Sequence, residues 1–247
     1  MVDKALFLGS NGASASMHQL EIITNNLANV NTTGFREDYE SMKQYQVKDN
    51  GDQTRTFTMS GQSYSDFRPG PVIKTGRSLD VAISGKGFIA VQSKQQGKEG
   101  YTRAGDLQLT TDGFLTTRAG DMVMGSSGPI QIPQSQNVAI GADGTISAVV
   151  KGQTLPITVA RIKLTNPPIT NLQKGTDGLF YMTGSAGASK QDDKIKLTPG
   201  AIEGSNVNPV ETLTSLIELS RQFEMHTNLM KNIQDNATKA NELLQLP

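Results

Sequence analysis

Few side chains in this sequence are of the kinds that catalyse reactions or hold metal ions. The chain contains no Cys, which excludes disulfides, thiolate metal sites and a Cys nucleophile. Its two histidines, His18 and His226, both lie in stretches with helical spacing. Neither an H-E-x-x-H metal motif nor a G-x-S-x-G nucleophile motif occurs. We therefore expect no catalytic residue, no metal site and no cofactor.

Two short motifs match known patterns but lie in an unsuitable context. Residues 85–90 match the dinucleotide-binding pattern G-x-G-x-x-A, yet the residues that follow have the character of a strand rather than a helix. Asn31 and Asn236 each begin a glycosylation triplet, although both lie in or beside expected helices. The carboxylates are scattered along the chain. The sequence therefore predicts a protein that is not an enzyme and takes no small-molecule substrate.

The overall charge and hydropathy exclude further classes of partner. Lys and Arg number 23, as do Asp and Glu, so the net charge is zero and nothing favours binding to nucleic acid. No stretch approaches the roughly 18 apolar residues of a membrane span, so we expect no direct membrane insertion. Residues 1–20 lack the features of a cleaved Sec-type signal peptide.

Both ends of the chain carry apolar or small residues at alternating spacings of three and four. This spacing is typical of a helix that packs along another helix, and near the C-terminus it continues for about four heptads. We predict helices at about 4–30 and 209–245 that pair as a coiled coil; the alternative is two amphipathic helices on one globular core. The residues with this spacing are Ala13, Ser16, Leu20, Ile23, Leu27 and Val30 near the N-terminus, and Leu216, Leu219, Phe223, His226, Met230, Ile233, Ala237, Ala240 and Leu244 near the C-terminus.

The middle of the chain has the pattern of short strands joined by glycine turns. Asp-Gly pairs at 112, 143 and 177 indicate hairpins, because Gly tolerates the positive φ of such turns. The pentapeptide at 102–106 recurs unchanged at 117–121, which predicts the same turn twice; the alternative is a chance repeat. The predicted fold class is α+β with a central antiparallel β domain. The predicted domains are 1–35 with 205–247 (terminal helices), 36–77 (an extended linker with a hairpin) and 78–204 (the β domain).

An Asn-rich segment lies at the end of the first predicted helix, whose residues at three-four spacing are called the N-terminal seam; those of the second helix are the C-terminal seam. Asn has a mediocre helix propensity because its amide competes for backbone groups. Asn25, Asn26 and Asn29 therefore either cap the end of the helix or bond to groups outside it, and the sequence does not decide between the two. Gly34 is expected to stop the helix, and Phe35 to act as an apolar anchor beyond it.

Residues 25–35, Asn-Asn-Leu-Ala-Asn-Val-Asn-Thr-Thr-Gly-Phe, resemble the N-terminal motif of bacterial flagellar rod and hook proteins. Three further stretches resemble the same family, at 79–88, 101–105 and 203–207. Within this family, Arg36 and the segments 235–237 and 241–244 are more similar to proximal than to distal rod proteins.

The resemblance implies a structural subunit of the basal-body rod, the periplasmic shaft that transmits motor torque to the hook. It implies terminal helices in an inner tube, a second layer made by the linker and an outer β domain. The implied partners are further copies of the chain, other rod proteins and the flagellar type III export apparatus, which needs no cleaved signal. A distal rod subunit and a secreted β-domain adhesin with oligomerising helical ends remain alternatives.

Contacts between subunits are therefore expected along the seams and at the two motifs. We expect the terminal helices to be loose in a single chain and to become ordered on assembly. Asn25, Asn26 and Asn29 are expected to fix how a helix end meets its neighbours. The predicted interface residues are Leu20, Ile23, Asn25, Asn26, Leu27, Asn29, Val30, Gly34, Phe35, Asn206, Leu216, Leu219, Phe223, Met230, Ile233 and Leu244.

Overall fold

The computed structural model describes residues 2–49, 52–133, 135–150, 155–183 and 188–244. It contains two long helices, α1 (Val2–Ala28) and α2 (Pro209–Leu244), with antiparallel strands between them. The α+β class is confirmed. Helix α2 begins at Pro209 as expected: Asn208 caps it, because its Oδ1 accepts a hydrogen bond from the Val210 backbone N–H at 3.1 Å.

The strands are short, except for the first two. In chain order they are β1 Asp38–Asp49, β2 Asp52–Ser65, β3 Val72–Lys74, β4 Val81–Ser84, β5 Phe88–Gln92, β6 Glu99–Thr102, β7 Gln108–Leu109, β8 Leu115–Thr116, β9 Met122–Gly125, β10 Gly128–Pro129, β11 Ser135–Ile140, β12 Thr145–Val150, β13 Ile157–Arg161, β14 Leu164–Thr165, β15 Leu172–Lys174, β16 Phe180–Met182, β17 Lys196–Pro199 and β18 Ala201–Glu203. A 3-10 turn, Ile169–Asn171, precedes β15.

The chain divides into two compact units. The helix–hairpin unit comprises Met1–Ala28, Asp38–Asp66 and Val207–Pro247, and the β unit comprises Asn29–Glu37 and Phe67–Asn206. Residues 29–37 therefore group with the strands, although the sequence suggested a boundary after Phe35. The reason is that the backbone of this segment bonds to residues of the β unit, as described below.

Helices α1 and α2 pack against each other in antiparallel directions. A Cβ atom added at Gly9 would lie 2.9 Å from Met230 Cγ, and one added at Gly12 would lie 2.6 Å from His226 Cε1. Higher residue numbers of α1 therefore lie opposite lower residue numbers of α2, so the two helices run in opposite directions. Glycines at these two points leave room for the side chains of Met230 and His226, and a Cβ there would force those side chains to move.

Strands β1 and β2 form a long hairpin that packs on α1 within the helix–hairpin unit. Pairing runs from Asp38 opposite Ser65 to Asp49 opposite Asp52. The sequence indicated a strand only at 54–59, because polar residues occupy both alternating faces of β1 and the period-2 signal is weak. The first two residues of the expected turn at 50–52 lie outside the described residues.

In the β unit, the described strands form one large sheet and several small ones, all antiparallel. The nine-stranded sheet has the order β15-β16-β6-β5-β9-β8-β7, with β10 on β9 and β14 on β5. A three-stranded sheet has the order β11-β12-β13, and two pairs, β17–β4 and β18–β3, complete the unit. The glycines of the three Asp-Gly pairs have φ of 79 to 83°, which confirms the predicted turns.

One apolar cluster fills the β unit. Its side chains come from both the large sheet and the small ones, so burial of this cluster holds the sheets together. The members are Val81, Ile83, Ile89, Val91, Leu107, Leu115, Val123, Ile130, Ile132, Ile140, Ile146, Ala148, Ile162, Leu164, Leu179, Ile195 and Leu197. A smaller aromatic cluster joins Phe67, Phe88 and Phe180, with ring centroids 5.2 to 6.1 Å apart.

The two copies of the repeated pentapeptide do not make the same turn, so that prediction was wrong. Gly120 has φ of 93° and Gly105 does not have a positive φ. A Cβ added at Gly105 would lie 1.7 Å from the carbonyl oxygen of Val81, whereas one at Gly120 would meet only the Lys94 side chain, at 3.5 Å or more. The glycine of the first copy therefore allows close contact with strand β4, and the glycine of the second copy allows a left-handed turn.

This difference gives a matched pair of substitutions. Gly105→Ala should lower the free energy of unfolding by about 3 kcal/mol, because the new methyl group forces the backbone away from Val81. Gly120→Ala should cost about 1 kcal/mol, because it adds only backbone strain. Chemical denaturation of the two purified variants measures both values. Equal losses would show that the contact at Gly105 is not tight.

Candidate assembly surface

The residues with potential chemistry do not assemble into a site. His18 Nδ1 lies 3.4 Å from Glu21 Oε2, and both side chains are exposed. His226 packs opposite Gly12 in the helix pair. The G-x-G-x-x-A segment leads into strand β5. Across the residues that the structure describes, no group of three His, Asp or Glu side chains could hold a metal ion, and neither helix has the length and hydropathy to cross a membrane.

Two residues of the predicted α2 seam, His226 and Met230, lie opposite Gly12 and Gly9 of α1. In the N-terminal seam Ala13 and Ser16 are buried. Leu20, Ile23 and Leu27 of α1 are half-buried. Val30 lies beyond the end of α1, because the helix stops at Ala28 rather than near residue 30. The described seam side chains of α2 share this half-buried state, and the side chain of Leu244 lies outside the description. They are Leu216, Leu219, Phe223, Met230 and Ile233.

Other apolar side chains of the helices are exposed. Their accessible fractions range from 46 to 72%. Exposed apolar side chains that continue along a helix mark an interaction surface, because single scattered ones are common but extended groups are not. The candidate assembly surface is the exposed group on α2, which consists of Val210, Leu213, Ile217, Met225 and Leu229; Phe7, Leu8 and Met17 of α1 are also exposed.

Asn26 bonds to a group outside its helix, and that group belongs to the same chain. Its Nδ2 donates to the Asp38 carbonyl oxygen at 2.8 Å, and its Oδ1 accepts from the Asp38 N–H at 2.9 Å. The side chain is only 2% exposed. The Asn26 side-chain amide thus bonds both the N–H and the carbonyl of the first residue of β1.

The other two asparagines differ from Asn26 in their surroundings. Asn25 is exposed near the end of α1, and Asn29 is half-buried in the turn that follows. Asn29 Oδ1 accepts a hydrogen bond from Thr32 Oγ1 at 3.1 Å. Asn29 therefore stabilises the turn by which the chain leaves the helix.

Gly34 does not end the helix, which stops six residues before it at Ala28. Gly34 has φ of 67°, and its N–H donates to the Glu203 carbonyl oxygen at 2.8 Å. A Cβ at Gly34 would lie 2.3 Å from the carbonyl carbon of Arg103. Phe35 is buried, with Lys174 Nζ 3.7 Å from its ring centroid. Both residues are packed inside the β unit of their own chain.

Asn206 lies beside the same segment. Its Oδ1 accepts from the Glu37 N–H at 2.7 Å, and its Nδ2 donates to the Arg68 carbonyl oxygen at 3.1 Å. Its own N–H donates to the Phe35 carbonyl oxygen at 3.4 Å. The C-terminal motif therefore bonds to the N-terminal motif within a single chain.

A buried cluster of three charges lies at this junction, and the sequence did not predict it. Arg36 and Glu203 are each 1% exposed and Arg103 is 5% exposed. Arg36 Nη2 lies 2.5 Å from Glu203 Oε1, and Arg103 Nη1 lies 2.8 Å from Glu203 Oε2. Burial lowers the pKa of Arg103, and the Glu203 carboxylate partly offsets that effect. The only signal in the sequence was that each charge belongs to or adjoins a stretch that resembles the family.

Three family models match this chain. They are "Flagella basal body rod protein" at residues 8–36, "Flagellar hook protein FlgE/F/G D1 domain" at 82–148 and "Flagellar basal body rod FlgEFG protein C-terminal" at 198–243. The first and third cover the two motifs that meet at the junction, and the second covers much of the β unit.

Curated relatives match over nearly the whole chain. The flagellar basal-body rod protein FlgF of Salmonella typhimurium strain LT2 is 37% identical, with 99% of this chain and all of the relative aligned. The FlgF protein of Escherichia coli strain K12 is 35% identical with the same coverage. The FlgG rod protein of Buchnera aphidicola subsp. Acyrthosiphon pisum is 32% identical over 97% of this chain and 99% of the relative. The resemblance seen in the sequence is confirmed: this chain belongs to the family of flagellar basal-body rod proteins, which are structural proteins and not enzymes.

Proposed function

We propose that this chain is a subunit of the proximal part of the flagellar rod, the periplasmic shaft that carries motor torque to the hook. The observation that carries the proposal is the full-length similarity to FlgF relatives at 35 to 37% identity. The FlgG relative at 32% identity supports the distal rod as the second candidate. The exposed apolar helix surface agrees with either place, because both require contacts between subunits.

Within this proposal, α1 and α2 form a coiled coil that packs beside the helices of neighbouring subunits. Full burial of one Leu, Ile, Met or Phe side chain stabilises by roughly 1.5–3 kcal/mol. The exposed side chains of α2, among them Leu213, Ile217 and Leu229, lose this contribution in a single chain. Neighbouring rod proteins would supply it, so we expect the helices to be loose before assembly and ordered afterwards.

The remaining parts of the chain have proposed places in the same assembly. The terminal segments 1–35 and 205–247 form the inner tube, the segment 36–77 with its hairpin forms a second layer, and 78–204 lies outside. The partners are copies of the chain and other rod proteins. Export proceeds through the flagellar type III apparatus without a cleaved signal, and a chain without Cys suits passage in the unfolded state.

Deletion and re-expression in the source bacterium test the proposed place in the rod. Cells that lack this chain should fail to swim, and electron microscopy of their basal bodies should show rods that stop before the distal segment. Re-expression of the intact chain should restore swimming. Complete rods in the deletion strain would contradict a role in the proximal rod.

A charge on the candidate assembly surface should block assembly without unfolding the chain. Ile217→Asp places a carboxylate at an exposed position, so the melting temperature of the purified chain should stay within a few degrees of the original while swimming is lost. Ser220→Asp, at an exposed polar position in the same helix, is the control and should preserve swimming. Normal swimming with Ile217→Asp would remove this residue from the interface.

Asn26→Ala should weaken assembly by loosening the start of the hairpin. The substitution removes the two hydrogen bonds between Asn26 and the Asp38 backbone, at a cost of about 1–3 kcal/mol within the helix–hairpin unit. Swimming should decrease, and the Asp38 amide should exchange faster with solvent, while melting of the β unit stays unchanged. Asn31→Ala, at an exposed Asn of the same motif, should leave both readouts unchanged. Normal swimming in Asn26→Ala cells would contradict the proposed role.

A further inference from the structure

We infer that Arg36, Glu203 and Arg103 are positioning residues that fasten the segment Asn29–Glu37 to the β unit within each single subunit, before any assembly. This segment is called the junction loop below. It leaves α1 after Ala28 and returns to the helix–hairpin unit at Asp38. The motif that resembles the rod family thus has an intramolecular task in addition to any contact between subunits.

One carboxylate connects segments that are far apart in the sequence. Glu203 Oε1 accepts from Arg36 Nη2 at 2.5 Å and from the Gly70 N–H at 3.1 Å. Glu203 Oε2 accepts from Arg103 Nη1 at 2.8 Å, and Arg103 Nη2 donates to the Gly85 carbonyl oxygen at 2.6 Å. The junction loop, the entry to β3 and the segment after β6 therefore meet at Glu203 of strand β18, and Arg103 also binds the loop after β4.

The backbone of the junction loop is held at the same place. The Gly34 N–H donates to the Glu203 carbonyl oxygen, and the Glu37 N–H donates to Asn206 Oδ1. Lys174 Nζ donates to the Arg36 carbonyl oxygen at 2.9 Å. These bonds can form only when the loop lies in one register on β18, and the charged contact of Arg36 selects that register.

The charge balance argues against a role in stability alone. Two guanidinium groups face one carboxylate, and the Arg36 Nε and Nη1 atoms and the Arg103 Nε atom are buried without a hydrogen-bond partner. Arg cannot give up its proton in a protein, so this surplus charge remains. Apolar side chains of similar volume are often at least as stabilising as buried ion pairs, which are best supported as determinants of a specific arrangement.

Removal of Arg36 separates the two roles. Arg36→Met leaves Arg103 and Glu203 as a balanced pair. If Arg36 mainly stabilises the whole unit, its removal should lower the melting temperature and release loop and core amides together. If Arg36 positions the loop, the Gly34 and Glu37 amides should be released while the core of the β unit stays protected. Neither outcome depends on the proposed place in the rod, because every contact lies within one chain.

The experiment is amide hydrogen exchange on the purified full-length chain in dilute solution. In Arg36→Met, exchange at Gly34 and Glu37 should accelerate at least tenfold relative to the amides of β5, with the melting temperature nearly unchanged. Arg36→Lys keeps the charge on a different side chain and should show a smaller acceleration. Ile146→Val, a core substitution in the same unit, should not accelerate exchange at the loop relative to β5.

Two results would overturn the inference. Unchanged exchange at Gly34 and Glu37 in Arg36→Met would show that the ion pair does not hold the loop. A large fall in the melting temperature, with loop and core amides released together, would show that Arg36 stabilises the whole unit instead of positioning one segment.

Discussion

A single pair of packed helices buries only one stripe of each helix, so apolar side chains on the other faces stay exposed in a single chain. In this chain many of the predicted seam side chains, such as Leu20 and Leu216, are only half-buried, and apolar side chains such as Ile217 and Leu229 remain exposed. Hydrophobic burial is the main favourable term in folding. The exposed apolar side chains of these helices therefore contribute little to the stability of a single chain. Membership of the rod family implies assembly with other rod components, and under the proposed function those components cover this surface.

The β unit is different, because its core is closed within one chain. Side chains such as Ile89 and Leu115 are fully buried, and the large sheet is joined to the smaller ones through one cluster. The chain leaves this unit at residue 37 and again at residue 206, and the Asn206 side chain accepts from the Glu37 N–H. The β unit is stable on its own, so it can fix the two points at which the chain leaves it before neighbouring subunits bind.

The parts of the fold that follow a periodic pattern were predictable from the sequence. The α+β class, the start of α2 at Pro209 and the Asp-Gly turns all came from local chemistry. The role of Gly34 and the meeting of Arg36 with Glu203 did not, because they depend on contacts between residues about 170 positions apart, which no local pattern encodes. The repeated pentapeptide shows the same limit. Its two copies are identical in sequence, but only Gly105 packs against Val81, and this contact depends on tertiary structure.

Amide exchange across the terminal helices tests the central claim most directly. Amides at 13–27 and 216–244 should exchange quickly in the dilute single chain and become strongly protected in isolated rods that contain it. Strong protection of both helices in the dilute chain would contradict the account, because it would show that the helix pair is stable without any neighbour.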